Sequence, residues 1–182
     1  MKHTHDLFLL LIVICTLASC GQRHRISKEM KKFTGTKVVL PLDSMLNLSY
    51  KNIRNDGVDT KYLYVRYVES EACSECAVRH LSEWQVLDTM KAGEGNRLNY
   101  IFILSPNKSQ YPHIYYMVRS DTLFNEHIYI DTTRVFERSN PQLPKSHLLH
   151  TFLLDQDRKV KIIGSPVSNE KVMGMLKKQL DN

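Results

Sequence analysis

The residues of this chain with the most distinctive chemistry are two cysteines three apart, in Cys73-Ser74-Glu75-Cys76. A pair at that spacing can close into a disulfide. When it stands at the start of a helix, the unpaired backbone amides and the helix dipole stabilise a thiolate at the first sulfur. In thiol-disulfide exchange Cys73 is then the attacking thiolate, and Cys76 is the resolving thiol that releases the mixed disulfide. Arg79 or His80 favours the thiolate, whereas Glu75, between the cysteines, opposes it by like-charge repulsion. The expectation is a modestly lowered thiol pKa and a reducing poise.

The neighbouring sequence predicts elements that would position such a pair. An apolar run (Leu63, Tyr64, Val65, Tyr67, Val68) leads through Glu69-Ser70-Glu71-Ala72 into the first cysteine. A helical pattern follows at once, with Leu81, Trp84, Leu87 and Met90 recurring every three residues and so clustering on one face. Strand, short turn and helix are the parts that this chemistry requires.

The whole chain, 182 residues with 42% hydrophobic and 24% charged, is long enough for one domain with its own core. Its start has a different character. An apolar run from Leu7 to Leu17 follows Lys2 and ends in Leu17-Ala18-Ser19-Cys20-Gly21. That run is too short to span a bilayer and reads as a secretory signal over residues 1–19. Its end resembles the lipobox of bacterial lipoproteins, which implies lipidation of Cys20, a membrane anchor and a place in the cell envelope. On that reading Cys15 leaves with the signal, Cys20 carries lipid, and Cys73 and Cys76 are the thiols that remain, in a compartment where disulfides form. They are too few for a four-cysteine zinc site.

The net charge of +6 has no aromatic-basic motif beside it, and export argues against nucleic acid as a partner. Arg23, His24, Arg25, Lys28, Lys31 and Lys32 lie just beyond the proposed anchor and suit anionic lipid headgroups. With few apolar residues to hold it, the 20–36 stretch is expected to be a flexible basic tether.

An extension over 37–60 follows, with a short strand at Lys37 to Pro41 and a turn at Asn55-Asp56-Gly57. The main domain, 61–182, opens on the central strand. After the cysteine helix, Gly93 and Gly95 break the pattern, and Leu98 to Leu104 is apolar throughout, as a strand buried on both faces would be. A helix is predicted from about Ser109 to Arg119, with Pro112 near its start and Ile114, Met117 and Val118 inward. His127 to Ile130 is a third strand. Thr151 to Leu154 and Val160 to Ile163 flank a polar turn and form a hairpin. Glu170 to Leu180 is a final amphipathic helix that Ser168 or Asn169 caps.

Strands alternating with helices, closed by a hairpin, give an α/β fold with a parallel core and antiparallel strands at one side. That order, and the stretches YLYVRYVESEACSEC, LNYIFILSP, HIYID and HTFLLDQDRKVKIIGSP, resemble the thioredoxin-like fold. In particular they resemble bacterial periplasmic thiol-disulfide lipoproteins of the redoxin type. The resemblance implies a central mixed sheet flanked by helices, no cofactor, protein thiols or disulfides as substrates, and a separate redox partner. Two positions depart from the family pattern: Ala72 stands where an aromatic residue usually precedes the first cysteine, and His150 stands before Thr151 where a cis-proline usually faces the pair. On the same resemblance Ala72, Glu75, His150 and Thr151 face or tune the substrate. His150 also raises an alternative, a soft copper(I) or zinc site built from Cys73, Cys76, His80 and His150. A third reading keeps the fold as a non-catalytic binding lipoprotein with a buried disulfide.

Overall fold

The structure, a computed structural model, describes residues 23–48, 60–91, 98–120 and 127–181. The proposed signal, Cys15, Cys20, the Asn55-Asp56-Gly57 turn, Gly93 and Gly95 lie outside the described residues. No helix among the described residues is long and apolar enough to cross a membrane.

A strand that is apolar at every position needs cover on both faces, and Leu98–Leu104 (β3) obtains it inside the sheet with all seven residues buried. Parallel neighbours flank it, Tyr62–Val68 (β2) on one side and His127–Ile130 (β4) on the other. Thr151–Asp155 (β5) pairs antiparallel with β2, and Val160–Ile163 (β6) closes the hairpin on β5. A short strand, Leu46–Asn47 (β1), pairs antiparallel with β4, so the sheet runs β1-β4-β3-β2-β5-β6. This is the expected mixed sheet flanked by helices.

Successive residues of a strand point to opposite faces, and the two faces carry separate cores. On the front, Tyr64, Val68, Tyr100, Phe102 and Leu153 pack with Leu81, Trp84, Ile114 and Leu176. On the back, Val65, Tyr67, Ile101, Tyr129 and Phe152 pack with Phe33 and Phe136. The front helices are Ser74–Arg79 (α2), Asp88–Lys91 (α3), Tyr111–Ser120 (α4) and Glu170–Leu180 (α6). Asn169 caps α6 through Oδ1, which accepts from the amides of Lys171 and Val172. Behind the sheet lies Val135–Ser139 (α5), whose first amides are held by the buried Asp131 carboxylate: Oδ1 accepts from Val135 N and Oδ2 from Phe136 N.

Three expectations are corrected. Residues 23–33 are helical (α1) rather than a flexible tether. Phe33 explains the difference: it is buried edge-on against Phe152, ring centroids 5.1 Å apart, and Glu29 accepts a hydrogen bond from Ser146 N. Lys37 to Pro41 makes one isolated bridge, Lys37 to Lys159, and no strand. The amides of Val38 and Val39 are taken by Arg158 O and the Asn140 side chain instead. Finally, the helix after the cysteines is not continuous. It runs as α2, then a 3-10 helix at Leu81–Leu87, then α3. Apolar residues spaced strictly by three align on a helix of three residues per turn, so Leu81, Trp84 and Leu87 all face the core.

Candidate active site

Cys73 and Cys76 stand at the C-terminal edge of β2, where the chain turns from sheet to helix. The turn is braced from outside. Ala72 N donates to Glu69 O, Asn107 Nδ2 donates to Ser70 O, and Arg134 Nη2 donates to Ser70 Oγ at 2.7 Å. Cys73 is the N-cap of α2, and its Sγ accepts from Cys76 N at 3.1 Å. The two cysteines are disulfide-bonded, with Cα atoms 5.2 Å apart, and both are exposed. Ser74 between them is turned wholly inward. The disulfide is therefore available to an incoming thiolate. A buried disulfide, as the non-catalytic reading requires, is not what forms.

Charge around the pair differs from the sequence expectation. Glu75 is engaged on both sides, accepting from Arg79 Nη2 at 2.7 Å and lying 3.7 Å from His113 Nε2 on α4. The hydrogen bond from Arg79 holds the Glu75 carboxyl below the usual glutamate range, with the charges of Arg79 and His113 acting the same way. Its repulsion of a thiolate is thus offset locally by two cationic or basic neighbours.

A cleft of about 660 Å³ opens beside the sulfurs. Both cysteines, Ala72 and Thr151 line it, as do His80 and Glu83 from the helical segment and Arg66 from β2. His80 Nδ1 lies 2.6 Å from Glu83 Oε1. Burial lowers the pKa of Arg66, and the Glu83 carboxylate facing it opposes that shift. Trp84, whose indole N–H has no hydrogen-bond partner, also lines the cleft, and Leu148 stands at its rim with 62% of its surface exposed.

Ala72, Thr151 and His80 are thus brought to the sulfurs, as the sequence reading places them. His150 is not. Tyr67 N donates to His150 O, so the backbone of residue 150 adjoins the edge of β2, but the imidazole lies behind the sheet. There it stacks obliquely on Tyr67, pairs through Nε2 with Pro144 O at 2.8 Å, and lines a different, smaller cleft with Glu69, Glu137 and Lys145. His150 ends the 3-10 turn His147–Leu149 with φ −84° and ψ 14°, so that turn and the contact with Pro144 O set its direction, while Thr151 opens the strand. The peptide bond before Thr151 is trans. The four residues of the copper or zinc alternative are therefore not gathered, and no group of three or more His, Cys, Asp or Glu side chains among the described residues is placed to hold a metal ion.

Arg66 and Glu83 escaped the sequence reading. The first has a visible signal, being the one charge in the strand Tyr62–Val68 and on its front-facing parity. The second has none, because a surface glutamate in a helical stretch is ordinary.

Neither family models nor curated proteins match this chain. Solved structures do. An uncharacterised conserved protein of Geobacillus kaustophilus aligns over 82% of this chain and 83% of its own, at 14% identity and TM-score 0.58. A Chlorobium tepidum protein provisionally described as a thiol:disulfide interchange protein DsbE aligns over 81% and 97%, at 12% identity and TM-score 0.51. The exposed lipoprotein thioredoxin of Streptococcus pneumoniae aligns over 74% and 98%, at 11% identity and TM-score 0.50. The chain has the thioredoxin-like fold, with a cysteine pair of CxxC spacing at its sheet-to-helix turn.

Proposed function

We propose that this chain is a thiol-disulfide oxidoreductase that exchanges disulfides with protein thiols through Cys73 and Cys76, without a cofactor. The observation that carries this reading is the placement of both sulfurs, exposed at the mouth of a cleft in a thioredoxin-like fold, with Cys73 as the N-cap of α2. Cys73 attacks the substrate disulfide, its thiolate stabilised by the first amides of α2. Cys76 then resolves the mixed disulfide. A dithiol partner re-reduces the pair. The departures at Ala72 and His150 leave the cleft without an aromatic cover or a cis-proline rim, which predicts a broad rather than a selective choice of protein substrate.

Reduction of a disulfide-bonded protein such as insulin by the dithiol form tests the activity. The parent protein is expected to reduce it and Cys73→Ser to be inactive; a parent protein as inactive as Cys73→Ser refutes the assignment. The redox potential is expected on the reducing side, and a value near that of a strong periplasmic oxidant contradicts that expectation.

The proposal extends to place. The apolar run from Leu7 to Leu17 and the cysteine after Leu17-Ala18-Ser19 support export and lipidation at Cys20, with the domain in the bacterial cell envelope and facing the periplasm. The exposed cations of α1 then lie beside lipid headgroups. Mass analysis of the mature N-terminus checks this, with a lipid adduct expected on Cys20 and release into the soluble fraction expected for Cys20→Ala.

A further inference from the structure

Resolution of a mixed disulfide requires Cys76 to lose a proton at the moment it attacks, and the helix N-terminus that favours a thiolate on Cys73 does less for a cysteine one turn further in. The cleft supplies a group for that task. His80, the C-cap of α2, follows Cys76 by four residues, about one helical turn, and both side chains line the cleft. His80 Nδ1 is 2.6 Å from Glu83 Oε1. A carboxylate accepts only, so the contact fixes the tautomer with Nδ1–H donating and leaves the Nε2 lone pair for a proton. Arg66 lines the same cleft, within electrostatic reach of Glu83.

We propose that His80 is the proton acceptor for the Cys76 thiol, with Glu83 as its positioning residue. This deepens the function proposed above and rests on it. The Cys73 thiolate first attacks a substrate disulfide, forming a Cys73-substrate disulfide and expelling one substrate thiolate. Cys76 S–H passes its proton to His80 Nε2, and the new thiolate attacks Cys73 Sγ. The Cys73–Cys76 disulfide forms, the bond to substrate breaks, and the second substrate thiolate takes the proton back from the imidazolium. Two electrons move from dithiol to substrate, and a partner dithiol returns them by the reverse exchange. The other charged or titratable groups lining the same cleft are Arg66, Tyr67 and Glu69 from β2 and its turn, His147 from the 3-10 turn before β5, and Cys73 itself; Glu75 and Arg79 on α2 are paired with each other.

Alkylation separates this role from a structural one. In the reduced full chain carrying Cys73→Ser, the rate of iodoacetamide addition at Cys76 is read by mass spectrometry from pH 5 to 10. Adding His80→Asn is expected to slow addition at pH 7 by about tenfold and move the profile to higher pH, and Glu83→Gln by about threefold. Addition at Cys73, read in Cys76→Ser, is expected to fall by no more than about threefold when His80 is replaced, clearly less than at Cys76, which also shows that the variant folds. An unchanged Cys76 profile in His80→Asn overturns the proposal, as does an equal loss at Cys73. Neither result depends on whether the parent protein reduces a substrate, so failure of the relay and failure of the oxidoreductase reading are distinguishable.

Discussion

The two faces of the sheet meet the chain's polar residues in opposite ways at the same level. In front, beyond the end of β2, two exposed sulfurs border a cleft containing Arg66, His80 and Glu83, a set of groups that can move charge and protons. Behind it, Tyr67 donates to Glu137 Oε1 at 2.8 Å and packs on Phe136, while His150 is fixed to Pro144 O. The back thus fixes its polar side chains by pairing, Tyr67 with Glu137 and His150 Nε2 with a backbone carbonyl, while His150 Nδ1 is buried without a partner. Residues 150 and 151 are adjacent in sequence and belong one to each region. The lesson is that adjacency in sequence says nothing about proximity in a site where a 3-10 turn hands over to a strand.

Four changes break or sharpen that contrast. The largest effect is expected from Trp84→Ala. Trp84 is buried among Tyr64, Tyr100 and Phe102, so its loss opens a cavity under the cleft and costs about 3–5 kcal/mol in denaturant unfolding. His150→Ala removes a buried ring and its hydrogen bond and is expected to cost about 1–3 kcal/mol, while the alkylation rate of Cys73 in the reduced protein stays within about twofold. A metal ligand or a substrate-facing residue at 150 would give the opposite ranking.

Tyr67→Phe is expected to cost about 1 kcal/mol at neutral pH, again with cysteine reactivity unchanged. It has a pH signature too. Burial, then the hydrogen bond and charge of Glu137, push the Tyr67 phenol well above its ordinary range. A raised folded-state pKa contributes stability that is complete below the unfolded pKa of about 10 and lost as pH rises past it, so Tyr67→Phe is expected to flatten the alkaline fall of stability above that pH. The smallest effect is expected in front. Arg79→Met leaves Glu75 with His113 alone, and Cys73 alkylation is expected to slow by about two- to fivefold at low salt, less at high salt.

Much of the fold is legible in the sequence. β3, β4 and α6 occupy the expected residues because an unbroken apolar run, a second such run and a capped amphipathic pattern each admit one reading. The hairpin is legible for the same reason, its two apolar arms flanking a polar turn. Of the site, the cysteines and their turn are legible because the spacing is local. What is not legible depends on partners remote in sequence. Nothing near Phe33 announces Phe152, which anchors α1, and nothing near Lys37 announces that Asn140 takes the amide of Val39. The all-apolar Phe152-Leu153-Leu154 hides its parity, and nothing in the sequence marks His150 as the end of a 3-10 turn rather than the start of the strand. The triplet spacing of Leu81, Trp84 and Leu87 was readable as a 3-10 period, since an α-helix rarely keeps strict threes.

The claim on which everything else depends is that the front cleft carries out disulfide exchange with Cys73 as the attacking sulfur. Trapping tests it directly: the reduced Cys76→Ser chain is mixed with a disulfide-bonded protein and the covalent product is mapped by mass spectrometry. The account predicts a stable mixed disulfide at Cys73 that added dithiol releases; no adduct at Cys73 at neutral pH, in a folded protein, contradicts it.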